Sequence, residues 1–347
     1  MRIAIIGCGG IGRAYAALLQ QESSAEVTWV VDADSDRAQA GARAMGSSSW
    51  STDAGAALRH PDVDAVIVAS PHATHPQFAC EALDLGLHVL LEAPLALRFP
   101  DAQRVLASAR ASSAVLAVNF WARGALEVRR TRSRIPRPTF VRIEAVVDSL
   151  RDSWMASAEH GGLLGLLGSH AFDLACYLMQ SAPRSVQALG GRHARRSDLA
   201  DTVSAGIRFM NGGLARLTIG EYGHSSTSTA WHILVTDGTL TATINGDLCN
   251  DHPKVGNDLK RDAPEAGAPS GSQLASLNAF VRAVTAGDPP LAGVEDGARA
   301  TQLADAVYEA MGGRRRIAIP DRSLQVGAGP IYIDDAVANR RNHSFGA

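Results

Sequence analysis

The residues best placed to do chemistry in this 347-residue chain start close to its first position. Gly7-Cys8-Gly9-Gly10-Ile11-Gly12 sets glycines in the places of a G-x-G-x-x-G turn, between the apolar run Ile3 to Ile6 and a helical pattern from Arg13 to Leu19. In such a turn Gly7 allows the tight bend, Gly9 lets a pyrophosphate approach the backbone, and Gly12 lets helix and strand pack closely. The unpaired N–H groups around Gly10 and Ile11, at the positive end of the helix dipole, then face the phosphates. Twenty residues past Gly12, Asp32 closes a second apolar run, Val27 to Val31. A carboxylate there accepts hydrogen bonds from a ribose 2′-hydroxyl and repels a 2′-phosphate, which favours NAD(H). Arg37 lies near enough to leave NADP(H) open. The plainer alternative is a domain whose glycines only make a turn and whose Asp32 caps a helix from about Ser35. The order strand, glycines, helix, strand, acid favours the dinucleotide.

These residues need elements to hold them. Helices are expected over Ser35–Ala44, Asp53–Leu58, Thr74–Leu85 and Pro100–Ala111, with strands over Asp64–Ala69, Leu87–Leu91 and Ala114–Val118. Short β-branched runs alternating with helices predict an α/β fold, a doubly wound parallel sheet of Rossmann type over residues 1–120. In such sheets ligands bind beyond the carboxyl ends of the strands, which selects Ser70–His75, Glu92–Pro94 and Asn119–Arg123 beside the glycine turn and Asp32. Past residue 120 the pattern changes. Phe140–Val147 alternates, a helix is expected near Gly162–Met179, and strand-like runs follow at Ser185–Leu189, Val203–Phe209, Leu214–Ile219, Trp231–Thr236 and Leu240–Ile244. Strands in succession predict an α+β domain over 121–320 with a mostly antiparallel open sheet. Ser272–Ala286 and Val294–Met311 close it as helices, the latter returning toward the first domain. Residues 321–347 form a tail with a short strand-like run, Ile331-Tyr332-Ile333, and a polar end.

Composition narrows the partners. With 46% hydrophobic residues and a formal charge of −2, nothing asks for nucleic acid or an anionic membrane. No apolar run is expected to supply the ~20 residues of a membrane span. Four cysteines without a C-x-x-C pair read as reduced thiols, which suits the cytoplasm. His72 and His75 have H-x-x-H spacing but no third ligand at comparable local spacing, so no metal site is expected.

Ser70-Pro71-His72-Ala73-Thr74-His75, Gly86 through Glu92-Ala93-Pro94 to Ala96, Gly161 to Asp173, and Phe280 with Ala298 to Tyr308 together resemble the Gfo/Idh/MocA oxidoreductases, from residue 1 to about 320. The resemblance implies a hydride-transferring enzyme acting on a small carbonyl, imine or sugar-like substrate. It also implies a homodimer or homotetramer formed through the second-domain sheet, and a cis Ala93–Pro94 peptide. It places the dinucleotide against Gly7, Gly9, Gly10, Ile11, Gly12, Asp32, Arg37, Ser70, Pro71, His72, His75, Glu92, Ala93, Pro94 and Asn119.

The departures lie at the chemistry. Where the family reads Glu-Lys-Pro, with a lysine that assists proton transfer, this chain reads Glu92-Ala93-Pro94. The second signature aligns on His160 to His170, keeping the histidine as His170 but placing Leu166 where the aspartate stands. A positioned acid or base typically contributes ~10²–10⁴-fold. Three readings follow. Redox chemistry persists, with His170 or a nearby histidine or tyrosine handling any proton, and most easily on an iminium-like substrate. Alternatively the nucleotide site serves a non-redox elimination or cyclisation, or the chain is a nucleotide sensor or partner subunit. Asp173 and Tyr177 share the helical face of His170, so Asp173 is expected to hold its ring, while Tyr177 suits the substrate side or the core. The bland reading of His170 is a helix cap. Trp121, Arg123, Trp154 and His160 are the remaining substrate candidates, each with packing as its alternative. The run Arg129, Arg130, Arg132, Arg134 and Arg137 reads as a solvated face or as a clamp for an anionic substrate or acidic carrier.

Overall fold

A computed structural model describes residues 1–19, 24–47, 49–147, 157–193, 199–221, 230–246, 248, 271–313 and 315–319. Trp154, Cys249 and the expected tail strand lie outside the described residues.

The first half alternates as expected: β1 (Arg2–Ile6), α1 (Gly10–Leu19), β2 (Glu26–Val31), α2 (Ser35–Met45), β3 (Ser49–Ser51), α3 (Ala54–Leu58), β4 (Ala65–Val68), α4 (His75–Asp84), β5 (His88–Glu92), α5 (Phe99–Ala111) and β6 (Leu116–Asn119). All six strands are parallel, in the order β3-β2-β1-β4-β5-β6. The order reverses beside β1, which is where a doubly wound sheet opens its ligand crevice. Successive residues of β1 serve opposite faces: Ile3 and Ile5 pack with Tyr15 and Leu18, Ala4 and Ile6 with Val66, Val68 and Leu91. Burial on both faces explains why these strands read as unbroken apolar runs. The short β3 was missed by the sequence reading because Ser-Trp-Ser carries too little apolar pattern to announce an edge strand.

The second half runs α6 (Leu126–Arg134), β7 (Phe140–Val147), α7 (Ser169–Met179), β8 (Pro183–Gly191), β9 (Thr202–Phe209), β10 (Leu214–Glu221), β11 (Ala230–Thr236), β12 (Thr241–Gly246), α8 (Gly271–Ala286), α9 (Val294–Gly313) and β13 (Ile317–Ala318). Its sheet has the order β12-β11-β7-β10-β9-β8-β13, antiparallel except where β7 and β10 run parallel. Val141, Ile143, Ala145, Leu217, Ile219, Ile233 and Val235 line the inner face, and Arg142, Arg208 and Arg216 point outward. That alternation is the period of a sheet covered on one side only.

Helix α7 lies in the covered core, with Ala171, Phe172, Leu174, Ala175, Leu178 and Met179 all buried. It continues a helix that turns in at Gly161 and Gly162 (φ +84° and +54°) and passes through a π-helical segment, Leu164–Gly168. Gly168 is itself helical, at φ −62° and ψ −41°, so the expected turn at Gly168-Ser169-His170 is absent and His170 does not cap a helix. The stretch Ala158–Met179 is also long and apolar enough to cross a membrane, contrary to the composition reading, but its most apolar window is 83% buried inside the protein. It is a core helix.

The closing helices return to the first sheet. Leu277 and Phe280 of α8 pack with Ile3, Ile5 and Leu90, on the face that α1 covers. Gly297 of α9 sits so close that a Cβ would lie 2.8 Å from the Leu95 side chain and 2.9 Å from Val118. Asp305 accepts a hydrogen bond from the Phe99 backbone at 2.8 Å, and Val118 N–H donates to Ala292. The two sheets are thereby joined by apolar packing as well as by the chain between β6 and α6.

Candidate active site

The glycine turn does what its spacing requires. Gly7 has φ +101°, and a Cβ on it would lie 2.4 Å from the Ala69 carbonyl. A Cβ on Gly12 would meet the Gly7 carbonyl at 1.9 Å, so strand and helix pass too close for any other residue. At Gly9 a Cβ would meet nothing within 4 Å: its smallness is not needed for folding and leaves open space above the turn. That space belongs to a cavity of about 850 Å³ lined by Gly7, Gly9, Asp32, Arg37, Ser70 and Pro71, among others.

Asp32 is nearly buried at the end of β2. It accepts from the Cys8 backbone at 2.8 Å, the Asp34 backbone at 3.0 Å and the Arg37 guanidinium at 2.9 Å. Burial alone would raise its pKa, but the Arg37 guanidinium and these backbone donors hold the carboxyl below its ordinary value. The cap of α2 is Asp34, whose side chain accepts from Arg37 N–H, so Asp32 is not spent on helix capping. Burial and the Asp32 charge push the Cys8 thiol up to about 11, which keeps it inert.

The ends of β5 and β6 are tied by a closed network. Tyr15 Oη donates to Glu92 Oε1 at 2.6 Å, and Asn119 Nδ2 donates to Glu92 Oε1 at 2.8 Å and to Tyr15 Oη at 2.9 Å. Burial pushes the Glu92 carboxyl up, against hydrogen bonds from Tyr15, Asn119 and the Ala93 backbone that favour its charged form. Asn119 Oδ1 is buried without a partner. Tyr15 was not among the sequence candidates, although a lone phenol on the sheet-facing side of an otherwise apolar α1 was the available signal. The Ala93–Pro94 peptide is cis, as the resemblance implies.

Four histidines divide by role. Both ring nitrogens of the fully buried His75 meet protein carbonyls, Nδ1 at Pro94 O (2.8 Å) and Nε2 at Ser70 O (3.0 Å), so it braces two loops and does not face the cavity. Burial and neighbouring His72 push His75 down to about 4. His72 Nδ1 lies 2.9 Å from the His160 carbonyl. His160, a substrate candidate, lines the same cavity as Gly7, Gly9 and Asp32. His170 is 7% exposed, with Nδ1 buried and unpartnered. Phe120 meets its ring edge-on at 5.6 Å, and Trp121 is tilted over it at 5.0 Å. Burial, and to a lesser extent His72, push His170 down to about 3, so the ring is neutral at physiological pH.

Asp173 does not hold that ring. It lies three residues further along α7 and accepts from Arg123, Nε at 2.8 Å and an Nη at 2.5 Å. The same guanidinium donates to the Leu291 carbonyl at 2.8 Å and pairs with Asp296 at 3.0 Å. Arg123 is therefore not a substrate contact: a buried cation finds a buried carboxylate before it finds a ligand. Burial opposes its charge, but Asp173 and Asp296 outweigh that and hold the guanidinium above its ordinary range. Tyr177 is likewise a packing element, its ring sandwiched between Arg123 at 4.7 Å and Arg132 at 4.4 Å. Arg132 also donates to the Tyr177 carbonyl, which removes one member of the basic run from any clamp. Trp121 remains half-exposed between His170 and Trp231, whose ring stands at 86° to it and 6.1 Å away. No group of three metal-ligating side chains occurs among the described residues.

A six-stranded Rossmann sheet bearing this turn and this acid, joined to a mixed seven-stranded sheet, defines a two-domain dinucleotide-binding protein. Two family models match the chain: the oxidoreductase family with NAD-binding Rossmann fold over residues 1–120, and the GFO/IDH/MocA C-terminal domain over 127–241. Myo-inositol 2-dehydrogenase of Thermotoga maritima is 24% identical over 341 residues, covering 92% of this chain and 99% of its own. The 1,5-anhydro-D-fructose reductase of Ensifer adhaerens is 26% identical, covering 85% and 92%. The crystal structure of GenD2 from gentamicin A biosynthesis, in complex with NAD, superposes with a TM-score of 0.80 at 23% identity, covering 92% of this chain and 96% of that one. The chain belongs to the Gfo/Idh/MocA oxidoreductase family and is an NAD-binding oxidoreductase of that kind.

Two outcomes test this geometry. Arg123→Met leaves Asp173 buried and unpaired, and should cost about 3–5 kcal/mol in urea unfolding, much of it regained in Arg123→Met/Asp173→Leu. Acidification is the second. With His170 at about 3 and His75 at about 4 when folded, the unfolded chain binds protons first below its ordinary ~6.5. Stability should therefore be complete above ~6.5 and fall with pH below it, by about 1.4 kcal/mol per pH unit for each histidine. Asp173, pushed up to about 6 by burial against the pull of Arg123, runs the opposite way and offsets part of that fall. The isolating measurement is the slope in His170→Phe, which should be shallower than in the wild type by one histidine.

Proposed function

We propose that the chain catalyses NAD(H)-dependent hydride transfer on a small carbonyl, imine or sugar-like substrate held between the Glu92–Pro94 loop and His170. The observation that carries this is the open space at Gly9 facing a nearly buried Asp32 carboxylate. The residues present fit a dinucleotide: backbone N–H groups of Gly9 to Gly12 for the pyrophosphate, Asp32 for ribose hydroxyls, and the unpartnered Asn119 Oδ1 as acceptor for a carboxamide N–H. When bound, the nicotinamide accepts or donates a hydride. Asp32 favours NAD(H), because a 2′-phosphate would sit against a carboxylate.

The protein's own residues orient and do little proton work. Glu92 fixes the cofactor loop through Tyr15 and Asn119. Ala93 and Leu166 cannot exchange a proton, and neutral His170 offers one N–H and one lone pair. With its pKa so low it is a weak base, so it serves to orient substrate more than to carry a proton. The outward face of the second sheet, bearing Arg142, Arg208 and Arg216, is proposed to pair copies of the chain.

Calorimetry with NAD tests the binding site. Gly9→Val should abolish binding while the thermal midpoint holds, and Asp32→Ala should weaken it by about tenfold or more. Equal affinity in all three proteins would overturn the reading. For the chemistry, His170→Ala should lower turnover with NAD affinity unchanged, and the wild-type pH profile should stay flat between about 6 and 9. An inflection near neutrality that vanishes in His170→Ala would return the proton-handling role to this residue.

A further inference from the structure

The junction between the two sheets combines three features. First, Glu92 is half-buried at the loop that ends in Pro94, takes donors from Tyr15 and Asn119, and has no cationic side chain paired with it among the described residues. Its neighbour Ala93 contributes only a methyl group. Second, among the described residues the charged candidates are spent: Asp173 is taken by Arg123 and His75 by two carbonyls, while His170 is neutral and only a weak base. Third, half-exposed Trp121 is tilted against His170 and meets the fully buried Trp231 edge-on, so of these two indoles Trp121 is the one that can offer a face. His170 Nδ1 and Trp231 Nε1, on either side of Trp121, are buried without partners.

A carboxylate without a cationic partner and the indole face of Trp121 attract an organic cation, since the face of an aromatic ring is its negative side. The same surroundings serve a carbonyl poorly, because its reduction leaves an alkoxide that needs a proton.

On the reading that this site transfers hydride, the geometry points to an amine–iminium pair as its substrate class, with Trp121 as the face against which the cationic carbon–nitrogen unit rests. In the oxidising direction the C–H bond next to an uncharged tertiary nitrogen breaks, and its electron pair leaves as hydride to the oxidised nicotinamide dinucleotide. The nitrogen lone pair closes the C=N bond, and the positive charge lost by the nicotinamide reappears on nitrogen. The reverse step reduces an iminium with the reduced dinucleotide. No proton moves in either direction, so neither a lysine at residue 93 nor an acid at residue 166 is called for.

Two readouts test it on the full chain. Tetramethylammonium, which cannot react, should quench tryptophan fluorescence and bind about tenfold tighter than uncharged tert-butyl alcohol of the same shape. Trp121→Ala should erase that preference and Trp121→Phe should keep most of it. If Trp121→Ala does not fold, the wild-type cation-to-neutral comparison and the Phe variant decide. For turnover, N-methylpyrrolinium with NADH should exceed cyclopentanone and myo-inositol in kcat/KM by about a hundredfold or more. Equal binding of the two probes, or turnover of the ketone or polyol in place of the iminium, overturns the proposal. In either case NAD binding by calorimetry separates the failures: if it persists, only the substrate class falls, and if it is absent, the hydride-transfer reading falls with it.

Discussion

One buried ion pair fixes the relation between the two halves of this molecule. Arg123 comes directly off the carboxyl end of the last Rossmann strand, Asp173 lies on the core helix of the second sheet, and Asp296 opens the helix that returns to the first. A guanidinium with Asp173 on one side and Asp296 and the Leu291 carbonyl on the other leaves little freedom to either half. His170 and Trp121 each lie within three residues of this clamp, which holds their backbones together while their rings meet at 5.0 Å. Partners of such a pair cannot be removed singly without exposing a buried charge, which ties the junction's shape to a threshold in stability.

Much of the fold could be read from the chain because its signals are local. The glycine turn, the apolar runs of the parallel strands and the alternation of the second sheet each depend on residues a few places apart, and periodicity reports them directly. The Asn119–Glu92–Tyr15 network and the Arg123–Asp173 pair could not be read in that way. Spacing along α7 correctly put Asp173 near the face of His170, but it cannot say which of several charged groups from other elements arrives first. Arg123 does, because an unpaired guanidinium in that core would be far costlier than an unpaired neutral imidazole. His160, expected near the cleft, lines the cavity of the glycine turn, just before the chain turns at Gly161 and Gly162.

The two positions that depart from the family pattern now have surroundings. Ala93 sits beside a carboxylate held by neutral donors, and Leu166 lies inside a π-helical segment packed against the core. Neither place holds a substitute acid among the described residues. The dinucleotide cradle keeps its glycines, its acid and its cis Ala93–Pro94 loop. The cradle is thus kept, while the two positions where the family pattern has a lysine and an aspartate carry side chains that do not titrate.

The π-helical segment Leu164–Gly168 has a consequence for how such a site can change over descent. A π-turn is an α-helix carrying one inserted residue, and each α-helical residue advances about 100° around the axis. Deleting any one residue between Leu164 and Gly168 would restore regular helix. The wide turn takes up the extra residue locally, so the helix on either side keeps its facing. Gly161, bonded to Tyr308 through its carbonyl, and His170, with its ring against Trp121, could therefore both stay in place after such a deletion. The same insertion carried in regular helix would turn one side against the other by about 100°, so the π-turn is what lets this segment differ by one residue while the histidine stays at the junction.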